Sequence, residues 1–346
     1  MRHTPAPAPI SRDRLQEVIG RYASLRVAVV GDVMLDRYLM GDAERLSPEA
    51  PVPVVVVREQ FARVGGAGNV AMNVTAMGAR CHLVGAVGDD THADALRAEL
   101  VTWHLSDAHL VTVPGRPTTT KTRLVARGQQ VVRIDEEVDR LLDGPDLERL
   151  TEGALAAVAD ADVLLLQDYN KGVLTGELIR AVMQAATARG IPVIVDPKYR
   201  QFFDYGGATV FKPNRRELEM ALGAAVDLQH QEALPGALSR LGVANMLVTL
   251  GGDGMVLVAS DGTITHIKSL AREVYDVSGA GDTVTAWLGA SLAAGATVRE
   301  AASISNYAAG IEVGKLGAAT VSPDEVLREH EARHDQIGLL RRGGVI

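Results

Sequence analysis

A glycine-rich turn leads into an apolar helix in the segment 276–295, which reads DVSGAGDTVTAWLGASLAAG. Asp282 falls in the first turn of that helix, directly after Gly279, Ala280 and Gly281. Backbone amides in such a turn can converge on one anion, and the helix dipole adds positive potential there. A carboxylate beside this anion hole can accept the proton of a hydroxyl that attacks a phosphoryl group. We therefore predict a catalytic base beside an anion hole; the alternative is that Asp282 only caps the helix.

The segment TLGGDG (249–254) follows an apolar predicted strand and contains three glycines. A tight turn formed by Thr249, Gly251 and Gly254 can bring backbone amides close to the phosphates of ATP. An ordinary hairpin turn has the same composition. The segment therefore indicates a nucleotide site only in combination with the other motifs.

The segment KPNRRE (212–217) places Asn214 and Glu217 three residues apart, so they share a face if a helix begins at Pro213. An amide and a carboxylate at this spacing can orient waters bound to Mg²⁺ near the phosphates. The same spacing is that of a capping box, with Asn214 as the N-cap and Glu217 at the third helical position. Both interpretations can hold together.

Polar residues in the N-terminal half could bind a polyhydroxylated substrate. Asp32 ends the first predicted strand, and Asp36 follows one turn later. Gly65, Gly66 and Asn69 open the next predicted helix. Carboxylates and an amide at strand ends can each hold one or two hydroxyl groups. For Asp36 the alternative is a solvent-exposed carboxylate without a function.

These residues lie on short apolar strands that alternate with helical segments, a pattern typical of a parallel sheet with helices on both faces. In such a sheet ligands collect at the carboxyl ends of the strands. The predicted strands are 27–32, 82–88, 163–168, 192–197, 208–214 and a pair within 246–259, and the predicted helices include 67–79, 92–103 and 174–190.

Two segments interrupt this alternation. PVPVVVVRE (51–59) is a predicted strand without a preceding helix, and residues 118–135 alternate β-forming residues around Arg-Gly, which indicates a hairpin. We predict that the two form a small accessory β-sheet, a candidate lid. The alternative is an edge hairpin of the main sheet.

Composition and charge exclude several classes of protein. The chain has 346 residues, a formal net charge of −8 and no long basic run, so nucleic acid is an unfavourable partner. A single cysteine, Cys81, allows neither an intramolecular disulfide nor a cysteine-rich metal site and fits a reducing cytoplasm. No apolar run approaches 18 residues, and the N-terminal segment lacks the apolar core of a signal peptide, so we expect a cytoplasmic protein without a membrane span.

Together the motifs resemble those of the ribokinase-like, or PfkB, family of carbohydrate kinases. The segment 65–79 is similar to the first signature of that family, and 276–290 is similar to the second, which carries the catalytic aspartate. The order of the segments from about residue 26 to about residue 325 also agrees. The resemblance implies a three-layer α/β/α sandwich with a mostly parallel central sheet and a small accessory β-sheet lid. It also implies a kinase that uses ATP and Mg²⁺.

The same resemblance assigns roles to single residues. Asp282 would be the base, with amides of Ala280 and Gly281 in the anion hole, and Asn306 would lie near adenosine. Asp276 and Ser278 resemble a loop that holds a monovalent cation, which could be K⁺, in some relatives. Lys212 departs from the family pattern, since many relatives have Thr or Leu there, and could reach a phosphate or be a surface charge.

Several further segments are similar to the branch of this family that phosphorylates D-glycero-D-manno-heptose 7-phosphate to the 1,7-bisphosphate for lipopolysaccharide. In many bacteria that kinase is fused to a C-terminal nucleotidyltransferase, so a chain that stops at Ile346 is expected to be the stand-alone kinase. The similar segments are GDVMLDRY (31–38), RLSPEAPVPVV (45–55), GGAGNVAMN (65–73), QDYNKGVL (167–174), VDPK (195–198), EVYDVSGAGDTV (273–284) and VGKLGAATVSP (313–323).

An acceptor that already carries a phosphate needs a cationic clamp. Candidates are Lys121, Arg123 and Arg133 from the hairpin and Lys171 in QDYNKG, with Asp168 as a further substrate residue. The alternative for each cation is a solvated residue of the lid. A clamp would separate a heptose-phosphate kinase from ribokinase, whose sugar carries no phosphate.

Other functions remain open at this point. Another PfkB activity, such as ribokinase or phosphofructokinase, is the first alternative. A Rossmann dehydrogenase would need GxGxxG after the first strand, which instead ends in GDVMLD. A sugar sensor without catalysis would have no need of Asp282.

The sequence also suggests an organisation of the chain and an oligomeric state. We predict a leader and first helix in 1–25, with Ser11 as the N-cap, a kinase domain in 26–330 and a tail in 331–346. The lid segments lie near 36–60 and 115–136. Because 51–57 is too apolar to remain an open sheet edge, we expect a homodimer built through the lid strands.

Overall fold

A nine-stranded, mostly parallel sheet forms the centre of the protein in a computed structural model that describes residues 10–226, 234–271, 279–315 and 319–342. The strands of the molecule are β1 Arg26–Gly31, β2 Val33–Leu46, β3 Pro53–Gly66, β4 Arg80–Val87, β5 His109–Thr112, β6 Thr120–Ala126, β7 Gln129–Glu136, β8 Val163–Gln167, β9 Val193–Asp196, β10 Val210–Phe211, β11 Asn245–Thr249, β12 Met255–Val258 and β13 Ile264–Ile267.

Helices cover both faces of this sheet. They are α1 Arg12–Ile19, α2 Ala67–Ala76, α3 Thr91–Thr102, α4 Gly144–Asp160, α5 Gly176–Arg189, α6 Arg215–Leu222, α7 Leu234–Leu241, α8 Ala280–Ala293, α9 Val298–Glu312 and α10 Pro323–Arg342. None of the helices in the described part of the chain is long and apolar enough to cross a membrane.

The main sheet has the strand order β13-β12-β11-β10-β9-β8-β1-β4-β5. The seven strands from β11 to β5 in that order pair in parallel, and β12 pairs antiparallel with both β11 and β13. The carboxyl ends of β1, β8 and β9 are therefore adjacent at one edge of the sheet, where ligands of such folds bind. The predicted parallel α/β architecture is confirmed.

Successive residues of β1 point to opposite faces of the sheet and enter two separate hydrophobic clusters. Val27 and Val29 pack with residues of α1, α2, α3, α8, α9 and α10, whereas Ala28 and Val30 pack with residues of α4, α5, α6 and α7. A strand that is buried on both faces gains from apolar residues at every position. This is why the central strands read as continuous runs of Val, Leu and Ala.

The accessory sheet is a separate four-stranded sheet with the order β3-β2-β6-β7. The predicted hairpin is β6–β7, which pairs antiparallel, and β6 pairs in parallel with β2. The prediction that Asp36 lies one turn after Asp32 is wrong, because the chain continues directly from β1 into β2. Pairing with β3 on one side and β6 on the other keeps this segment extended.

Two other predicted boundaries differ in the structure. The strand predicted over 208–214 contains only Val210 and Phe211, since Pro213 cannot donate a ladder hydrogen bond and Asn214 already caps α6. The helix α1 begins after Ser11, whose side chain accepts a hydrogen bond from the amide of Arg14, as predicted. The helix α10 runs across the domain boundary that was predicted after residue 330.

Candidate active site

Asp282 lies in the first turn of α8 with its carboxylate buried among neutral hydrogen-bond donors. Asn69 Nδ2 donates to Oδ2 at 2.8 Å, while Gln167 Nε2 and the Tyr169 hydroxyl donate to Oδ1 at 2.9 and 2.8 Å. The side chain does not cap its own helix, because the N-cap position is taken by Gly279. The carboxylate therefore points to the edge of the sheet, where β8 ends.

Burial raises the pKa of Asp282 to about 7. The charge of Asp196 adds to that increase, whereas the hydrogen bonds from Asn69 and Tyr169 and the charge of Lys212 oppose it. A carboxylate with a pKa near neutrality can exchange a proton at physiological pH. The raised pKa and the burial of Asp282 agree with the prediction of a general base.

The residues of the predicted anion hole lie at the N-terminus of α8. Gly279 has φ of +100°, which only glycine adopts without strain, and this bend turns the chain into the helix. Among the described residues, no side chain caps α8, so its first amides remain available to a ligand. Ala280 and Gly281 both line the neighbouring cavity.

A cavity of about 340 Å³ adjoins this helix terminus. It lies at the carboxyl ends of β9, β10 and β11 and is closed on the other side by α9. All seven residues that the sequence assigned to ATP and Mg²⁺ line it, namely Lys212, Asn214, Glu217, Thr249, Gly251, Gly254 and Asn306.

Two of these residues also hold the walls of the cavity in place. Gly254 has φ of +93°, and a Cβ there would lie 2.1 Å from the carbonyl oxygen of Ile267, so a larger residue would displace β13. Asn306 Nδ2 donates to the carbonyl oxygen of Lys268 at 2.9 Å. The close packing of the turn after β11 against the end of β13 thus requires glycine at position 254.

Asn214 and Glu217 form the capping box that the sequence offered as one interpretation. The side chain of Asn214 accepts from the amide of Glu217 at 2.8 Å, and Glu217 Oε2 accepts from the amide of Asn214 at 2.8 Å. Glu217 Oε1 is paired with Lys198. Because each oxygen has a further lone pair, the two side chains can still hold waters of a metal ion.

Lys212 and Asp196 form a buried ion pair on the cavity wall, with 2.9 Å between Nζ and Oδ2. Asp196 also accepts from Gln167 Nε2 at 2.9 Å. The Lys212 side chain is 3% exposed, which contradicts the interpretation of this lysine as a surface charge. Within the described residues, no group of three or more His, Cys, Asp or Glu is arranged to hold a metal ion.

On the other side of Asp282, the loop after β8 is bound to Asp32. This carboxylate is buried and accepts from the backbone amides of Tyr169, Lys171 and Val173 at 2.8, 2.9 and 3.1 Å. Asp168 accepts from the amide of Asn170 and from the hydroxyl of Tyr205. Burial, assisted by the charge of Asp32, raises the pKa of Asp168 to about 6.

Asp36 is buried rather than solvent-exposed, and it pairs with Arg123 across β2 and β6. Gly65 lies close to this carboxylate, and a Cβ there would come within 2.2 Å of Asp36 Oδ2. The first signature thus brings Gly65 against the carboxylate of Asp36, Gly66 against the backbone carbonyl oxygen of Asp32, and Asn69 against Asp282.

The four candidate cations of the phosphate clamp differ in their surroundings. Lys121 and Lys171 both pair with Glu137, while Arg123 pairs with Asp36. Arg133 is about half exposed and pairs with Asp135 on its own strand. The structure therefore brings Lys121 and Lys171 together and leaves Arg133 at the solvent side.

Sequence reasoning did not assign roles to Gln167, Tyr169, Asp196 and Lys198. All four lie in the segments QDYNKGVL and VDPK at the ends of β8 and β9, and Lys198 lies over the ring of Tyr169 at 5.3 Å. Their position at the ends of predicted strands is the sequence signal that could have identified them. The predicted monovalent-cation residues, Asp276 and Ser278, lie outside the described part of the chain.

The family model described as "pfkB family carbohydrate kinase" matches residues 24–325. The chain is 44% identical over 315 residues to the bifunctional protein HldE of Rhodospirillum rubrum and 47% identical over 314 residues to that of Azorhizobium caulinodans. Each alignment covers 90% of this chain, but only 64% and 65% of those relatives. The chain thus spans just under two thirds of the length of these two curated proteins.

Solved structures share the fold at lower identity. A ribokinase of Arabidopsis thaliana, complexed with ribose and ATP, superposes with a TM-score of 0.69 at 21% identity, covering 88% of this chain and 98% of that one. Phosphofructokinase-2 of Escherichia coli, in complex with potassium, gives a TM-score of 0.73 at 19% identity, covering 89% and 99%.

Proposed function

Because this chain belongs to the pfkB family of carbohydrate kinases, we propose that it phosphorylates D-glycero-β-D-manno-heptose 7-phosphate with ATP. The anomeric hydroxyl is the acceptor, and the product is the heptose 1,7-bisphosphate of the ADP-heptose route to lipopolysaccharide. The proposal is supported by the heptose-kinase segments in the sequence and by 41–47% identity over about 90% of the chain to bifunctional proteins named HldE.

The observation that carries the proposal is the position of Asp282 between two different environments. On one side is the cavity with the open amides of α8 and the turn after β11. On the other side are the loop after β8 and the accessory sheet, which carry carboxylates and two lysines. A base between a nucleotide site and a sugar site is what phosphoryl transfer to a hydroxyl requires.

Different residues of the chain carry out different parts of the reaction. Asp282 accepts the proton of the anomeric hydroxyl, while Asn69, Gln167 and Tyr169 hold its carboxylate in place. The amides of Ala280 and Gly281 stabilise charge on the transferring phosphoryl group. Asp36, with Arg123, and the loop held by Asp32 orient the sugar hydroxyls, together with Asp168.

Asn214 and Glu217 would hold Mg²⁺ through water, and the ion would neutralise the phosphate charge of ATP. Their oxygens already accept one hydrogen bond or ion pair each, which suits contacts through water better than direct coordination. Asp276 and Ser278 are the proposed residues for K⁺, from their resemblance to the cation loop of some relatives. Lys212 and Lys198 add positive charge to the same wall of the cavity.

We further propose that the chain acts in the cytoplasm as a homodimer built through the accessory sheet. Val56 and Val57 on the edge strand β3 are 45% and 44% exposed, and Val131, Val132 and Ile134 on the other edge strand are similarly exposed. Apolar side chains along open sheet edges favour pairing with a second chain. Pairing of two accessory sheets would cover this surface.

A direct assay of acceptors tests the proposed substrate. The purified chain is given ATP, Mg²⁺ and one of heptose 7-phosphate, ribose or fructose 6-phosphate, and the products are identified by mass spectrometry and ³¹P NMR. We expect the 1,7-bisphosphate to form with the highest kcat/KM. Faster turnover of ribose or fructose 6-phosphate would replace the proposed substrate with that of another member of the family.

A further inference from the structure

Glu137, which follows β7, bridges two lysines from different parts of the molecule. Its Oε1 lies 2.7 Å from Lys171 Nζ, and its Oε2 lies 2.9 Å from Lys121 Nζ. Each carboxylate oxygen therefore binds one ammonium group. The two lysines are 18% and 15% exposed and Glu137 is 26% exposed, so the cluster is partly shielded from water.

This cluster connects the accessory sheet to the loop beside Asp282. Lys121 lies on β6, whereas Lys171 lies in the loop after β8, two residues from Tyr169, whose hydroxyl contacts the carboxylate of Asp282. The backbone of the same loop is fixed by Asp32, and Arg116 donates to the carbonyl oxygen of Lys171. Lys171 therefore extends from a fixed backbone toward the accessory sheet.

The protonation state of Glu137 determines whether the two lysines already have an anionic partner. Burial alone would raise the pKa of Glu137, but the hydrogen bonds from Lys171 and Lys121 outweigh it and hold the pKa below its ordinary value. Glu137 is consequently an anion at neutral pH. Asp135 also contacts Lys121 Nζ, at 3.2 Å, so both lysines have carboxylate partners in the structure.

We propose that Glu137 is an internal counter-anion that occupies the phosphate site of the acceptor and is displaced when the phosphorylated acceptor binds. The inference rests on the proposed function, in which the acceptor carries a phosphate. A carboxylate with one oxygen on each of two lysines has the binding pattern of a phosphate group between the same lysines. Glu137 is the most exposed of the three residues, so its side chain can leave toward solvent.

This arrangement makes Glu137 a specificity-determining residue. A phosphate dianion carries about twice the charge of a carboxylate and can replace it between two cations. A sugar without a phosphate offers no charge to the lysines and leaves the bridge to Glu137 closed. The bridge therefore opens only for an acceptor that brings its own anion, and competition from the carboxylate lowers the affinity for that anion.

Binding of inorganic phosphate to the full chain tests the inference without reference to any sugar. The nucleotide site is first filled with Mg²⁺ and a non-hydrolysable ATP analogue, and phosphate is then titrated by calorimetry. We expect Glu137→Gln to lower the Kd for phosphate about threefold to tenfold, because it removes the competing charge and retains the shape of the side chain. The double variant E137Q/K171M should bind phosphate more weakly than the wild type.

Asp139→Asn is the matched control, since Asp139 lies two residues further along and pairs with Arg200 at the surface. It removes the same charge from the same segment and should leave the Kd within about twofold of the wild-type value. An unchanged or higher Kd in E137Q would overturn the inference, and so would equal tightening in D139N. Thermal unfolding of each variant confirms that the fold is retained.

Acceptor kinetics separate this inference from the proposed function. If the wild type phosphorylates heptose 7-phosphate but E137Q does not lower the phosphate Kd or the heptose 7-phosphate KM, the inference fails and the proposed substrate stands. If E137Q binds phosphate more tightly while heptose 7-phosphate is not a substrate, the counter-anion role stands and the acceptor is another phosphorylated sugar.

Discussion

Asp282 and Glu137 carry the same functional group in two regions of the molecule with opposite surroundings. Asp282 is buried at the edge of the main sheet, and its hydrogen-bond donors Asn69, Gln167 and Tyr169 are neutral. Glu137 is partly exposed beside the accessory sheet, and both of its partners are lysines.

The difference appears in the pKa of each carboxyl group. Burial raises the pKa of Asp282 to about 7, whereas the two lysines lower that of Glu137 despite its partial burial. Neutral donors hold a carboxylate in position without greatly stabilising its charge, and cations stabilise the charge itself. The first environment suits a base that must take up a proton, and the second suits a charge that is exchanged for another anion.

The largest effect on activity is expected when the proposed base, Asp282, is replaced. Asp282→Asn should keep ATP binding and lower kcat by about 10²–10⁴-fold, because a positioned general base contributes a factor of that order. Steady-state kinetics and ATP titration measure the two properties separately. Asp160→Asn, at the amino edge of the sheet, is the control and should retain full activity. Near-normal turnover in D282N would reduce Asp282 to a structural residue.

The second effect concerns Lys171, one of the two lysines that pair with Glu137. Lys171→Met should raise the KM for heptose 7-phosphate about tenfold to hundredfold, from the loss of a charge-assisted hydrogen bond of about 1.5–3 kcal/mol. The KM for ATP serves as the internal control and should not change, since Lys171 pairs with Glu137 and does not line the nucleotide cavity. A rise confined to the ATP constant would place Lys171 on the other substrate.

The pH dependence of kcat tests the raised pKa of Asp282. Because the base must be ionised, kcat should fall about tenfold for each pH unit below the pKa, which lies at about 7. Tyr169→Phe removes one donor that stabilises the ionised form, so the acidic limb should move to higher pH. The same limb in wild type and Y169F would mean that another group controls the profile.

A smaller effect is expected at the metal-binding wall of the cavity. Glu217→Gln should raise the Mg²⁺ concentration required for half-maximal rate by up to about tenfold, with little change in the acceptor KM. Glutamine still completes the capping box with Asn214, so the helix α6 is preserved. Magnesium titration at fixed ATP gives the answer, and an unchanged curve would remove Glu217 from the metal site.

The smallest effect on the chemical step is expected from the accessory sheet. Val56→Glu places a charge on an exposed apolar position of the edge strand β3 and should shift the proposed homodimer toward monomer without unfolding it. Sedimentation at micromolar concentration compares the variant with the wild type. A wild-type monomer at that concentration would contradict the homodimer.

Motif chemistry and periodicity were enough to predict the layers of the fold and seven of the residues that line the cavity beside α8. Continuous apolar runs identified the strands buried on both faces, and glycines at 251, 254 and 279 marked turns with positive φ. Each of these features is local, since a turn or a buried strand is determined by a few neighbouring residues. The seven residues assigned to ATP and Mg²⁺ lie together because their segments follow strands of one parallel sheet.

Only the tertiary structure decided which carboxylates have neutral neighbours and which have cations. Gln167 and Asn69 are 115 and 213 residues from Asp282 along the chain, and Glu137 is 34 residues from Lys171. Nothing in the residue types distinguishes these partners from other polar residues at strand ends. A pKa depends on burial and on groups brought close by folding, so the roles of Asp282 and Glu137 follow from long-range packing that sequence patterns do not contain.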